Sequence, residues 1–545
     1  MNEIYTICAE EKVLTDKKPR MLEKENTMAR DETLSFQVAY KTDLLQREIE
    51  VKIKSPIKKY ITYRQVEYVP CTTPVLGEGD DYYLTKKPFL CPDVLCSCEK
   101  RKPVSRQGLY NSIWFTVRGE LTPGEYPIEI SLEQNGCVIG KAEYKVTVLD
   151  FYLGESSLIY TNWFHYDCLA QYYNLKVFSP EYNKIMYDFI ACAVRHGMNM
   201  LLIPMFTPPL DTRCTGERLT VQLVDVTKTE NGYAFNFDRL ISFMKKVKEL
   251  GIKYFEMSHL FTQWGAKSAP KIMGKVNGHT KRIFGWETCA TGREYEEFLG
   301  AFLPELIETL KKEQLYQNCR FHISDEPNEQ CLESYKGARN LFRKYAPDAI
   351  VMDALSNYEF YKQGLVDNAI SSTAHIQAFL DNKTPNLWAY YCCAESGSYL
   401  SNRYMSMPGE RIRVLGMQMY LNDVKGFLHW GYNFYNSVLS DEAVDPYLIT
   451  DCGGGMQSGD AYCVYPGENG AIDSVRYENF YDGIQDYKLF ECLEKKIGRE
   501  GAEKILLENG FKKTFTDYPH SIKTLKKIRK LAQNALINQH PASKK

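Results

Sequence analysis

The sequence predicts an α/β chain: a (β/α)8 TIM barrel preceded by an antiparallel β-sandwich. Three observations carry this. Up to about Asp150 the chain reads as short strands without a long amphipathic helix. From Phe151 strand and helix patterns alternate eight times, and no G-x-G-x-x-G turn follows the first of those strands, as a dinucleotide-binding open sheet would require. The expected domains are a sandwich over 1–150, a barrel with insertions over 151–500 and a helical tail over 501–545. At ~150 residues per domain the 545 residues allow three to four units, and an enlarged barrel counts as one of them.

In the first part, strands are expected at Leu34–Tyr40, Ile49–Ile53, Tyr60–Val69 and Ser112–Val117, then at Tyr126–Leu132 after Pro123–Gly124. Asn135–Gly136 is a hairpin dipeptide leading into Cys137–Leu149. The segment Leu90–Lys100 reads as a loop, and its Cys91, Cys96 and Cys98 have no spacing of a closed metal site.

The barrel opens with the strand Ser157–His165. Ser179 as N-cap and Pro180 in the first turn then start a helix whose apolar face is Ile185, Met186, Phe189, Ile190, Ala193 and Val194. Further strands are expected at Asn199–Phe206, Tyr254–Phe261, Arg320–Ser324, Ile350–Leu355, Ile370–Ile376, Leu387–Cys393 and Gly426–Gly431. Helices are expected at Phe237–Leu250 (capped by Asn236), Tyr295–Leu315, Cys331–Tyr345, Tyr358–Gly364, Arg411–Val424 and Ser474–Lys496. A polar excursion follows the second strand and a long insertion the third. The tail reads as two more helices and a frayed, Lys-ending terminus.

Composition narrows the functional classes. Lys+Arg 67 against Asp+Glu 69 leaves a net charge of −2, which gives no field for nucleic acid. The N-terminus has acids and lysines where a leader would be apolar, and no run is long enough to span a membrane. With 17 scattered cysteines the expectation is a cytoplasmic protein without a disulfide framework. No cofactor is expected. The Gly-rich Asp451–Asp460 lacks a following G-K-[ST] for phosphate, and no H-E-x-x-H offers a metal site.

Barrel chemistry sits at the C-terminal ends of strands. Those ends carry His165 and Asp167, His259, Asp325 and Glu326, Asp353 and Asn357, His375, Glu395 and Trp430. The sharpest is Phe321–Pro327, FHISDEP, where an apolar strand runs directly into two adjacent carboxyls. Adjacent acids repel, which raises a pKa and suits a general acid for a glycosidic oxygen; the bland alternative is a helix cap. Sequence neighbours are poorly placed to attack from one face and protonate from the other. They suit substrate assistance instead: the sugar's 2-acetamido oxygen attacks, Asp325 orients it and Glu326 is the acid/base, with retention of configuration.

Ser324–Pro327, SDEP, resembles glycoside hydrolase family 123, as do Gly459–Tyr487, which ends in DGIQDY, and Cys91–Leu95, CPDVL. The similarity runs across most of the chain. It implies a sandwich-plus-barrel fold and a retaining β-N-acetylgalactosaminidase acting on terminal β-linked N-acetylgalactosamine of a glycan, with Asp325 and Glu326 as the pair.

Trp430 is a candidate floor under the sugar ring, with barrel core as its alternative. Trp264, His165 and Asp353 are further candidates for the sugar site. Tyr390, Tyr391 and Tyr432 compete to hold the acetamido oxygen. Arg476 and Asp482 read as structural ion-pair or capping groups. Two other readings stay open: a retaining glycosidase of other specificity, with Glu326 as acid/base and a separate carboxylate such as Glu395 as nucleophile, and a non-catalytic glycan binder.

Overall fold

The computed structural model describes residues 2–327 and 329–537. The N-terminal part is two packed sheets. One runs Glu3–Cys8, Leu34–Lys41, Asn111–Val117, Ile61–Cys71, Phe89–Ser97 in spatial order, all antiparallel. The other runs Glu25–Met28, Cys137–Val148, Gly124–Gln134, Glu50–Lys54. Two features depart from the sequence reading. Glu25–Met28 joins its sheet in parallel to Cys137–Val148. The segment read as a Cys-bearing loop is instead the edge strand Phe89–Ser97, whose pairing with Ile61–Cys71 is a long-range event that local pattern does not announce.

Asn135 and Gly136 take φ of 50° and 79°, the left-handed pair that a tight hairpin turn requires. Every residue of Asn111–Val117 is buried, because one face fills the sandwich and the other meets the barrel half. Phe115 stacks on Phe36 at 5.1 Å inside the sandwich, while its neighbour Trp114 packs with Val66, Leu95 and Val475 on the other side.

Eight parallel strands follow, shorter than their apolar runs suggest. Five form one sheet in the order Ile159–Asn162, Gly426–His429, Trp388–Tyr390, Asn368–Ser372, Met352–Ala354. Three form another: Met200–Ile203, Tyr254–Met257, Cys319–Phe321. A parallel bridge from Phe321 to Val351 joins the sheets at one seam. At the other, Asn199 stands in for a ladder: its Oδ1 accepts from Tyr160 N–H at 2.9 Å and its Nδ2 donates to Leu158 carbonyl at 2.9 Å. The expected closed eight-stranded ladder is therefore met only in part.

No strand is assigned by the sequence to the excursion or the insertion. They pair instead into a four-stranded sheet of Gly232–Asn236, Asp225–Thr229, Ile272–Val276 and His279–Phe284, with Asn277–Gly278 as a second left-handed hairpin turn. Ser179 caps Pro180–Arg195, accepting from Tyr182 N–H at 3.2 Å. The expected helix Arg411–Val424 is two pieces, Gly409–Arg413 and Leu415–Leu421. The helix expected to stop at Lys496 kinks at Gly498 and runs on to Leu507. The tail closes with Ile522–Ile537, and its Lys-ending terminus lies outside the described residues. Among the described residues no helix is long and apolar enough to cross a membrane.

Candidate active site

Asp325 and Glu326 follow the short strand Cys319–Phe321 and stand half-buried at its C-terminal end. The turn that carries them is tied down on both sides. Ser324 Oγ donates to Thr262 carbonyl at 2.8 Å, and Trp264 N–H donates to Asp325 carbonyl at 3.0 Å. Glu326 has φ 42°, a left-handed conformation that costs a non-glycine residue ~1–2 kcal/mol and persists only where the surroundings impose it.

Burial raises the Asp325 carboxyl well above its ordinary range, reinforced by the charges of Glu326, Asp211 and Asp353 and opposed by His322. Burial also raises Glu326, with Glu395 adding repulsion, while a hydrogen bond from Tyr390 holds it down. Both carboxyls are thus held toward their protonated forms, and their mutual repulsion opposes ionising both at once.

The three phenols separate cleanly. Tyr390 ends the strand Trp388–Tyr390 and donates to Glu326 Oε1 at 2.8 Å, with Ser356 Oγ 3.2 Å from its hydroxyl. Tyr391, one residue on, points the other way into the rings of Phe427 and His429. Tyr432 is not brought to the pair: fully buried, it donates to Phe189 carbonyl on the helix Pro180–Arg195.

Trp430 is nearly buried, and its Nε1 donates to Asp460 Oδ2 at 3.1 Å. His165 supports it from behind, with Nε2 2.9 Å from Trp430 carbonyl and Nδ1 3.1 Å from the Arg218 guanidinium. Burial and that guanidinium push His165 down to about 3, so it is neutral. Arg218 is itself locked on Asp167 at 2.6 and 2.7 Å. Trp264 is 45% exposed beside the pair, the one tryptophan among the candidates with an open face.

Asp353 is fully buried and so is not a contact for the sugar. It accepts from His322 at 2.9 Å, Tyr335 hydroxyl at 2.6 Å, and the N–H groups of Ile323 and Ser324. Glu395, the alternative nucleophile, is also buried, and its two oxygens are occupied by Ser372 hydroxyl and by Cys392 N–H at 2.7 Å.

Two carboxyls that the sequence reading passed over belong to this neighbourhood. Asp211, from the polar excursion, is pushed up to about 7 by burial, against the Arg218 charge and with the Glu326 charge adding to it. Asp460 is also pushed up to about 7 by burial, with Trp430 and Arg403 opposing and Glu395 and Asp211 adding. The only signal for Asp460 was its place in the GDAYC stretch; Asp211 had none.

Among the described residues two trios of ligand-type side chains converge: Cys192, His196 and Asp473, and His259, His322 and Asp353. In the first, Arg64 already pairs with Asp473. In the second, both His322 nitrogens are held by carboxylates. The Gly-rich Asp451–Asp460 loop docks on the sandwich, with Asp451 accepting from the hydroxyls of Thr72 and Thr73 at 2.7 Å each.

A family model described as the catalytic domain of glycoside hydrolase 123 matches residues 163–493. The whole fold aligns with a family 123 glycoside hydrolase from Clostridium perfringens, studied for glycolipid glycan hydrolysis, at TM-score 0.73 and 11% identity, covering 98% of this chain and 97% of that one. A family 39 glycoside hydrolase from Bacteroides cellulosilyticus gives a looser likeness, TM-score 0.34 and 10% identity over 88% and 83% of the two chains. No curated protein matches the sequence. The family match places the chain among the glycoside hydrolases. It belongs to glycoside hydrolase family 123.

Proposed function

We propose that the chain is a retaining β-N-acetylgalactosaminidase that works by substrate assistance. The observation that carries this reading is the neighbouring Asp325–Glu326 pair, with Glu326 raised and hydrogen-bonded to Tyr390, while Glu395 is spent on Ser372 and Cys392. Glu326 protonates the glycosidic oxygen as the C1–O bond breaks. The 2-acetamido oxygen attacks C1 and closes an oxazoline ring, and Asp325 accepts the acetamido N–H and stabilises the charge that develops there. Water, deprotonated by Glu326, then attacks C1 and opens the ring, so the β configuration is retained. Both carboxyls end the cycle in their starting states.

In this reading Trp264 offers its open aromatic face to the sugar, Trp430 is almost wholly buried and contributes little to that floor, and Tyr390 sets the acid. His165 and Asp353 support the site from behind. The two parallel sheets act as arcs of one (β/α)8 barrel, with the sandwich and the tail helix Ile522–Ile537 as its buttresses. A glycan or glycoconjugate is the substrate, in keeping with the glycolipid glycans of the C. perfringens relative. Seventeen unpaired thiols suit a reducing compartment.

The test is a panel of 4-nitrophenyl β-glycosides with and without a 2-acetamido group, in gluco and galacto configurations, plus a thiazoline inhibitor. Turnover confined to acetamido sugars, fastest for galacto and blocked by the thiazoline, is expected. Turnover of plain galactosides with indifference to the thiazoline overturns the assignment.

A further inference from the structure

Beneath the carboxylate pair lies a buried charged trio. His322 sits between Glu256, 2.6 Å from Nε2, and Asp353, 2.9 Å from Nδ1, and all three side chains are fully buried. Burial alone would neutralise the imidazole, but the hydrogen bonds and charges of Asp353 and Glu256 raise it to about 10, so it is an imidazolium at neutral pH. The remaining acceptor capacity is also used. Glu256 accepts from Thr161 hydroxyl at 2.9 Å and Trp163 Nε1 at 2.7 Å. Asp353 accepts from the N–H groups of Ile323 and Ser324, the two residues directly before Asp325.

The trio thus spans the strands Ile159–Asn162, Tyr254–Met257, Cys319–Phe321 and Met352–Ala354, and it ends on the backbone that delivers the pair. His259 stacks over His322 at 4.2 Å with both nitrogens unpartnered, and burial together with the His322 charge keeps it neutral. The groups facing Asp325 are the carboxyls of Glu326, Asp211 and Asp353 and the His322 cation.

We propose that His322 is a positioning residue for Asp325: clamped by Glu256 and Asp353, its imidazolium fixes the turn that carries the pair and supplies a positive charge toward Asp325. Burial and the carboxyls of Glu326, Asp211 and Asp353 favour the protonated form of Asp325, and the cation works against them, toward the ionised form that accepts the acetamido N–H. The proposal rests on the role given to Asp325 above.

The test is the pH profile of the full-length enzyme on 4-nitrophenyl N-acetyl-β-galactosaminide, comparing wild type, H322Q and the double variant E256Q/H322Q. The double variant removes one carboxylate together with the imidazolium, so the buried net charge is unchanged. In both variants the acidic limb of kcat moves up by about one pH unit, with about a tenfold loss of kcat below it. KM stays within about twofold, and the basic limb set by Glu326 does not move. A folded variant with the wild-type profile overturns the proposal, and so does unfolding of the double variant, which would make the trio structural. A wild type that turns over no acetamido sugar is a separate outcome: it overturns the reading of Asp325 and the His322 proposal with it.

Discussion

Asp325 and Glu326 are neighbours in the chain but face different surroundings. Asp325 answers to His322 below it, and Glu326 to Tyr390 across the opening. Assistance needs Asp325 ionised and Glu326 protonated, so activity falls as pH drops through the raised Asp325 value and again as it rises through the raised Glu326 value. The bell in kcat/KM is expected above the ordinary carboxylate range. Glu326→Gln should lower kcat by ~10²–10⁴-fold on a poor leaving group, and Asp325→Asn should be comparably damaging while Glu395→Gln is not. Tyr390 stabilises the charged form of Glu326, so Tyr390→Phe should move the basic limb to higher pH. FHISDEP was legible because an apolar run ending in two acids is a local pattern. Which phenol meets Glu326 was not: Tyr390 and Tyr391 differ only in the face each takes, and Tyr432 is claimed by a helix carbonyl far away in sequence.

At the scale of elements, periodicity found the eight parallel strands and most helices but overestimated their lengths, since an apolar residue can be buried beyond the last ladder bond. Pro204 cuts Asn199–Phe206 down to Met200–Ile203 in this way. The insertion sheet escaped because its strands pair across 272–284 and 225–236, and their exposed positions are mostly polar. Helix packing depends on equally non-local detail. A Cβ on Gly416 would lie 1.7 Å from the carbonyl oxygen of Gly483, so Leu415–Leu421 meets the long helix backbone to backbone. Gly416→Ala should cost ~3 kcal/mol, read as a lowered urea midpoint at unchanged m-value.

In the whole molecule the two halves are bound by buried ion pairs. Asp93, in the CPDVL segment, bonds Arg476, in the long helix, at 3.0 Å, and both side chains are fully buried. Two stretches that resemble the family by sequence therefore meet at the interface between sandwich and barrel. Arg413 holds Glu10 and Asp486, and Arg529 brings the tail helix onto Asp486 and Glu32. Arg476→Ala leaves the Asp93 charge buried and unpaired and should cost ~3–5 kcal/mol in urea unfolding, far more than loss of an exposed pair. Glu10 is held down to about 2 by Lys526 and Arg413 despite burial. Its contribution is present above the ordinary Glu value near 4.3 and is lost as pH falls toward about 2, so sandwich–barrel separation should accompany acid unfolding. A tryptophan fluorescence titration follows this through Trp114, which is buried at that interface.

By itself the sequence determined the order of parts, the strand–helix alternation and the carboxyl pair at a strand end. All three are written in neighbouring residues: periodicity, caps, and acids directly after an apolar run. Tertiary structure decided which groups gather around the pair. Asp211, Glu256, Asp353, Tyr390 and Asp460 come from separate segments, and the raised proton affinities of Asp211, Asp353, Tyr390 and Asp460 arise from shared burial and neighbouring charge. Those exist only once the chain has excluded water.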